Sequence, residues 1–137
     1  MAHYALLDED NNVINVFVGR DENEVVNGIT DWESYYSAVH GGTCKRTSYN
    51  TFQNQHKLGE VPFRYNYAQI GGKYDPEKDG FIPVRCYKGW IVNPDTLDWI
   101  PPVPMPSNDG LQEGESWYWN DENDEWRIMP PMPDPLA

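Results

Sequence analysis

A short unit that occurs three times in the second half of the chain constrains the fold more than any other feature. Its copies are residues 74–83, 92–101 and 119–128. The second position of each copy is Asp75, Asn93 or Asn120, and an aromatic residue follows six residues later. An Asp or Asn side chain there accepts a hydrogen bond from the backbone two residues on, which favours a tight turn. The repeat therefore predicts tandem β-hairpins that carry large rings on their arms.

Proline-rich segments separate or follow these copies, at residues 101–106 and 130–135. Such segments favour extended polyproline II structure, which is stiff and has no internal hydrogen bonds. We therefore predict two regions. Residues 1–72 would hold an N-terminal hairpin, a short helix and a polar, aromatic loop, and residues 73–137 the tandem hairpins with their proline-rich spacers.

The N-terminal region predicts one hairpin and one helix. Residues 4–7 and 13–19 have strand composition and flank a polar turn. Thr30 or Asp31 can cap a helix over residues 32–39, and Gly41-Gly42 ends it. The expected buried face of this helix is Trp32, Tyr35, Tyr36 and Val39. A strand near residues 44–48 and a long loop to residue 68 complete a mainly β, α+β fold with one short helix.

Charge is unevenly distributed along a chain whose formal net charge is −12. Residues 1–43 carry −7, residues 44–88 carry +4, and residues 89–137 carry −9. The overall sign disfavours nucleic acid and anionic membranes as partners. The central basic zone faces either an acidic partner or the acidic ends of the chain itself, and we favour the second interpretation.

Neither a membrane segment nor a signal peptide is evident in the sequence. No stretch approaches the roughly 20 apolar residues that a transmembrane helix needs. The first residues lack the basic region and the long apolar run of a secretory signal. We therefore expect a protein that stays in the compartment where it is made.

The reactive side chains do not form a workable catalytic set. His40 and Cys44 lie four residues apart, but a glycine turn separates them and no Asn or Asp is placed to orient the imidazole. The clusters of carboxylates fall in predicted turns, where they stay solvated and we expect no tuning of their pKa values for acid–base catalysis. No glycine-rich phosphate loop is present. We therefore expect a protein that is not an enzyme.

The sequence also predicts no metal or cofactor. Residues 75–82 mimic the first eight positions of a calcium loop, but the twelfth position is Cys86 where a bidentate Glu is required. The histidines and cysteines lack the paired spacing of a zinc site. Cys44 and Cys86 are too few for a disulfide framework, and we expect free thiols.

The aromatic residues of the repeat region have two interpretations. They offer stacking platforms for sugar rings, or they pair across their own hairpins, and we favour the second. The residues concerned are Trp90, Trp99, Trp117, Tyr118 and Trp126.

Three longer stretches, at residues 1–14, 44–51 and 62–71, resemble small proteins encoded by tailed phages of marine bacteria, cyanophages especially. The most specific motifs are Lys-Arg-Thr-Ser-Tyr-Asn-Thr from Lys45 and Asn-Tyr-Ala-x-Ile-Gly from Asn66. Shorter matches follow at Lys73-Tyr-Asp, Gly80-Phe-Ile-Pro, Gly89-Trp-Ile-Val and Trp99-Ile-Pro-Pro-Val-Pro. Members are described as uncharacterised or as virion structural proteins. The resemblance thus implies a virion component, assembled in the cytoplasm of the host bacterium.

Within that family, small size and the absence of fibre-forming repeats favour a decoration or knob protein on the head surface, bound to the major capsid protein, either singly or as a homo-oligomer. One alternative is a tail or tail-fibre component that binds host surface glycans through exposed tryptophan; another is a fibre-assembly chaperone. We expect partner contacts where cations and rings coincide, and at two tryptophans. These candidates are Lys45, Arg46, Tyr49, Phe63, Arg64, Tyr65, Tyr67, Trp90 and Trp99.

Overall fold

The computed structural model describes residues 2–133 and Pro135 and confirms a mainly β fold. Within that part of the chain there is one α-helix, and the strands form small antiparallel sheets. The elements are β1 (Ala2–Leu7), β2 (Val13–Gly19), α1 (Trp32–His40), β3 (Thr43–Thr47), β4 (Thr51–Phe52), β5 (Gln55–His56), β6 (Lys73–Asp75), β7 (Gly80–Ile82), β8 (Ile91–Val92), β9 (Trp99–Ile100), β10 (Ser116–Asn120) and β11 (Glu125–Met129).

The chain divides into two compact units. Unit 1 comprises the chain up to Arg85 together with Val92–Trp99, and unit 2 comprises Cys86–Ile91 together with the chain from Ile100 onward. The predicted boundary between residues 72 and 73 therefore falls inside unit 1. The reason is packing, because Tyr74 and Phe81 of the first repeat hairpin lie in one hydrophobic cluster with the N-terminal strands.

The core of unit 1 lies on both faces of a three-stranded sheet with the order β2-β1-β3. Successive side chains of a strand point to opposite faces, so the central strand β1 can bury residues on both sides. On one face, Ala5, Leu7, Val13, Ala68, Tyr74 and Phe81 form a buried cluster. On the other, the buried residues are Ala2, Tyr4 and Trp32, with Phe17 and Tyr36 packed against them.

The helix begins and ends close to its predicted limits. The Oδ1 atom of Asp31 accepts a hydrogen bond from the backbone N–H of Ser34 at 3.2 Å, and Gly41 closes the helix in the left-handed conformation. The predicted buried face is wrong for Tyr35 and Val39, which are 40% and 60% exposed. Ser37 faces β3 in that turn, where its Oγ atom accepts the backbone N–H of Cys44.

A hairpin that the sequence did not reveal lies within the predicted long loop. Strands β4 and β5 pair through Thr51 and His56, with only Gln53 and Asn54 between the strands. Both turn residues have positive φ, 52° and 57°, as a tight two-residue hairpin turn requires. Asn is common in such turns, but Gln at the first position is not a usual signal for one.

The three predicted repeat hairpins are confirmed as β6–β7, β8–β9 and β10–β11. The Asx side chain acts as expected in the first two copies, where the Oδ1 atoms of Asp75 and Asn93 each accept a backbone N–H two residues on at 2.9 Å. In the third copy Asn120 bonds the N–H three residues on. Four residues after the Asx position, each copy has a left-handed residue with φ between 51° and 54°: Asp79, Leu97 and Asp124.

Residues 101–106 and 130–133, in the two proline-rich segments, form neither helix nor strand. Asp134, which belongs to the second of these segments, lies outside the described residues. No helix in the described part of the chain is long and apolar enough to span a membrane.

Candidate docking surface

Several of the predicted docking residues meet around Arg46 of β3. The Cζ atom of Arg46 lies 3.9 Å from the centroid of the Phe63 ring, and its Nη1 atom lies 3.7 Å from Glu22 Oε2. Two adjoining depressions of about 330 and 280 Å³ share Arg46 and Glu22 in their walls. We name this region the Arg46 surface and define it by His3, Glu22, Arg46, Tyr49, Phe63 and Arg64.

Tyr49 is the most exposed ring of the Arg46 surface, with 53% of the residue open to solvent. The His3 ring lies edge-on to it, with 5.3 Å between the ring centroids. His3 in turn meets the Tyr67 ring at 5.8 Å and 90°. His3 therefore packs against both Tyr67 and Tyr49. These ring contacts hold Tyr49 in position while it presents an aromatic face to solvent.

Arg64 lies at the inner end of the Arg46 surface, and its guanidinium forms ion pairs with acidic residues of unit 1. Its side chain is 11% exposed. The Nη1 atom donates to Glu33 Oε2 at 2.6 Å and to the carbonyl of Arg46 at 2.9 Å. The Nε atom forms an ion pair with Asp79 Oδ1 at 2.9 Å. These contacts identify Arg64 as a residue that holds three segments of unit 1 together.

Glu33 of α1 positions Arg46 as well. Its Oε2 atom accepts the backbone N–H of Arg46 at 2.7 Å, in addition to the guanidinium of Arg64. One carboxylate therefore fixes both the β3 backbone and the cation behind it, and charge-assisted bonds of this kind are short and strong.

The ion pairs explain the charge zones of the sequence. Arg46 and Arg64 belong to the basic central zone, and their partners Glu22 and Glu33 belong to the acidic N-terminal zone. The interpretation that the basic zone faces acidic residues of its own chain is therefore confirmed for these two arginines.

The other predicted docking residues of this region lie elsewhere. Lys45 points to the opposite face of the sheet, with its Nζ atom 5.7 Å from the centroid of the Tyr74 ring. Tyr65 packs so close to Gly80 that a Cβ atom at Gly80 would lie 2.5 Å from Tyr65 Cδ2. Neither side chain lines the two depressions around Arg46.

Trp99 lines a separate cleft of about 340 Å³ in unit 1. Its Nε1–H donates to the carbonyl of Pro83 at 2.8 Å, which fixes the ring. The guanidinium of Arg85 lies 5.1 Å from the centroid of the ring. The rest of the lining is formed by Ile82 and Val92 together with a glycine pair and Lys73.

Unit 2 contains a cluster of three tryptophans. Trp119 and Trp126 face each other across β10 and β11 at 5.3 Å, and Trp90 lies 6.0 Å from Trp119. All six tryptophans lie in the described part of the chain, and each is buried or half-buried. The favoured interpretation, in which rings pair across their own hairpins, is confirmed for Trp126, whose partner across the hairpin is Trp119. Sequence reasoning missed Trp119, although its position directly before the repeat turn was a usable signal.

The two cysteines lie in different environments. Cys44 is buried and Cys86 is exposed, and both are free thiols. Burial raises the pKa of the Cys44 thiol, which keeps it protonated and therefore weakly nucleophilic. Among residues 2–133 and 135, no three His, Cys, Asp or Glu residues are grouped closely enough to hold a metal ion. What the Arg46 surface offers is ring contact, charge and hydrogen bonding.

Comparison with known proteins identifies no relative: no protein-family model, curated protein or solved structure matches the chain. The functional interpretation therefore depends on the geometry described above and on the sequence motifs.

Proposed function

We propose that this protein is a non-enzymatic structural protein of a phage virion, an accessory protein of the head surface that binds the major capsid protein. The phage-like motifs support the virion part of the proposal. The observation that carries the binding part is the Arg46 surface, where Arg46 stacks on Phe63 from a distant segment and lines the same depression as the exposed Tyr49 ring.

The composition of the Arg46 surface suits protein recognition. Arginine and tyrosine are enriched at the centres of interfaces and supply most of the binding energy there. Arg46 is stacked on Phe63 and flanked by Glu22, so its side chain is already restricted before binding. A restricted side chain loses less conformational entropy when a partner arrives, which favours affinity.

The proposed mechanism is adhesion. A protein that binds the assembled capsid but not the dissociated capsid subunits shifts the assembly equilibrium toward the capsid, and so stabilises it by mass action. Tyr49 would bury its exposed ring at the contact, and Arg46 would meet an acidic or carbonyl-rich patch of the capsid protein.

The proposal is tested with purified particles of a phage that encodes this chain. Quantitative mass spectrometry should find hundreds of copies in each particle, since a head-surface protein follows the copy number of the capsid protein. Purified protein should also rebind to particles that lack it. We expect Tyr49→Ser to weaken rebinding by about tenfold or more.

Tyr35→Ser is the matched control, because Tyr35 is 40% exposed on α1 and lines neither of the two depressions. It should rebind like the unmodified protein. A handful of copies per particle would instead assign the protein to the tail, and its absence from mature particles would indicate an assembly chaperone. Equal rebinding of the two variants would remove the Arg46 surface from the contact.

A further inference from the structure

The two outer edges of the three-stranded sheet differ in how their backbone groups are satisfied. On the β3 edge, side chains take the outward groups: Cys44 N–H donates to Ser37 Oγ at 2.8 Å, and Arg46 N–H donates to Glu33 Oε2 at 2.7 Å. The carbonyl of Arg46 accepts from Arg64 at 2.9 Å. This edge is therefore closed to another strand.

The same bonds fix which backbone groups of β2 point outward. Cys44 and Arg46 face away from β1, so the alternate residues Thr43, Lys45 and Thr47 face it. Their partners in β1 are Leu7, Ala5 and His3. The remaining β1 residues, Ala2, Tyr4 and Leu6, must then bond β2 at Gly19, Phe17 and Asn15. It follows that Val16 and Val18 direct their N–H and C=O groups away from the sheet.

Only the start of the β2 edge is covered. Val13 exchanges backbone hydrogen bonds with the glycine pair, from its N–H to Gly72 O at 2.9 Å and from Gly71 N–H to its own carbonyl at 2.8 Å. A bulge at Ile14 follows, between the pairs Leu6–Asn15 and Leu7–Val13. Beyond the bulge, the described residues place no further strand against β2.

Val16 and Val18 therefore offer a short row of backbone groups. The N–H of Val16 is held by its neighbour's side chain, Asn15 Oδ1, at 2.9 Å. The carbonyl of Val16 and both backbone groups of Val18 bond no other described residue and remain for a partner. Val18 is 52% exposed and Ile14 is 51% exposed. The strand has neither the lysine nor the proline that proteins use to protect such edges.

The charge around this edge selects the partner. Residues 8–24, which comprise the hairpin turn, β2 and the following loop, contain six acidic residues and one arginine. The acids flank an uncharged strand, at Asp8, Glu9 and Asp10 on one side and at Asp21, Glu22 and Glu24 on the other. Pairing of β2 with β2 of a second copy would bring these acidic ends together and is disfavoured. An extended segment with basic ends and a β-branched centre is the complementary partner.

We propose that the β2 edge is a second docking site, which accepts an extended, basic-ended peptide segment of a partner protein by strand addition at Val16 and Val18. Ladder hydrogen bonds would supply affinity, and the acidic flanks would supply selectivity. This inference does not depend on the proposed role on the virion, because it needs no particle and shares only Glu22 with the Arg46 surface.

The test uses the full chain and a labelled peptide with a Thr-Val-Thr-Val-Thr centre and two lysines at each end, followed by fluorescence anisotropy. Val18→Pro removes the outward N–H without removing a bond of the sheet, because proline is tolerated where the N–H faces solvent. Val18→Thr keeps that N–H and is the matched control. We expect at least tenfold weaker binding for Val18→Pro and less than a twofold change for Val18→Thr.

A second variant keeps the test valid if Val18→Pro fails to fold. Val18→Lys retains every backbone group, and its charge repels the lysine-ended peptide, so binding should weaken by a similar factor. The same peptide with glutamates at its ends should bind at least tenfold more weakly than the lysine-ended peptide.

Four results would overturn the proposal. They are no binding of the lysine-ended peptide, equal binding of both peptides, equal binding by Val18→Pro and Val18→Thr, and self-association of the unmodified chain that Val18→Lys abolishes. The last result, measured by sedimentation, would make a second copy the occupant of the edge.

Discussion

At the scale of the residue, Arg64 shows how a side chain that sequence composition assigns to binding can serve the fold. Sequence reasoning grouped it with Arg46 because both are cations beside aromatic residues. The structure separates them by exposure, since 11% of the Arg64 side chain is accessible against 25% for Arg46. Arg64 also reaches Glu33, 31 residues away in the chain, a contact that no local pattern encodes.

We predict that Arg64→Met destabilises the protein by about 2–3 kcal/mol, because it leaves the partly buried Glu33 carboxylate without its cation. Urea unfolding measures this change. Arg20→Met is the control, since the Arg20–Glu24 pair is 3.8 Å long with side chains 51% and 42% exposed. Such exposed pairs contribute less than about 1 kcal/mol. Equal losses for the two variants would contradict the structural role of Arg64.

Two tyrosines make stability depend on alkaline pH. Burial raises the pKa of Tyr4 to about 12, with a further contribution from the nearby Tyr36. Burial likewise raises the pKa of Tyr74 to about 12, aided by the hydrogen bond that its hydroxyl donates to Asp79. In the unfolded chain a tyrosine titrates near pH 10. Between about pH 10 and 12 the unfolded state therefore holds fewer protons, and stability falls as pH rises.

The expected result is that these two tyrosines contribute no pH dependence below about pH 9 and lower the free energy of unfolding between about pH 10 and 12. Urea titrations at each pH measure it. Tyr74→Phe should show a shallower decline over the same range, since one of the two shifted groups is gone. A decline as steep as that of the unmodified protein would show that Tyr74 does not contribute.

At the scale of the element, local turn chemistry was enough to predict most hairpins and the helix ends. The Asx positions predicted all three repeat hairpins, and Gly41 predicted the end of α1. The missed β4–β5 hairpin depends on Gln53, which adopts positive φ although such turns usually place Gly or Asn there. Leu97 also has positive φ in the second repeat, but the Asx residue of that copy was enough to predict its hairpin.

Packing between elements was the part that the sequence did not reveal. The predicted buried face of α1 included Val39, but β3 receives Ser37 in that turn because its edge N–H needs an acceptor. The predicted docking residues share charge or ring content in two short segments, residues 45–49 and 63–67, with Trp90 and Trp99 in addition. Strand alternation then sent Arg46 to one face and Lys45 to the other, so only part of that set forms the Arg46 surface.

At the scale of the whole molecule, the turn of the second repeat hairpin completes the core of unit 1. Asn66 is 1% exposed, and its Nδ2 atom donates to the carbonyls of Phe81 and Thr96, each at 2.9 Å. Leu97, which is 2% exposed, packs beside Gly80, where a Cβ atom would lie 2.6 Å from Leu97 Cδ1. Residues distant in sequence therefore close one hydrophobic core, and the predicted boundary between residues 72 and 73 lies within the unit that contains it.

We predict that Leu97→Ala destabilises unit 1 by about 2–4 kcal/mol, the cost of an unfilled cavity in a packed core. Alanine keeps a Cβ atom, so the left-handed backbone of Leu97 costs the same in both proteins, and the loss reports burial alone. Val84→Ala is the control at an exposed apolar site, 45% accessible, where a loss of less than about 1 kcal/mol is expected.

Hydrogen exchange locates the effect of Leu97→Ala within unit 1. The Phe81 amide, which donates to Arg64 O at 3.0 Å, should exchange faster in this variant. Equal losses of unfolding free energy for Leu97→Ala and Val84→Ala would contradict this role. They would show that Leu97 contributes no more to the core than an exposed valine does, and that Val92–Trp99 is an appendage of unit 1.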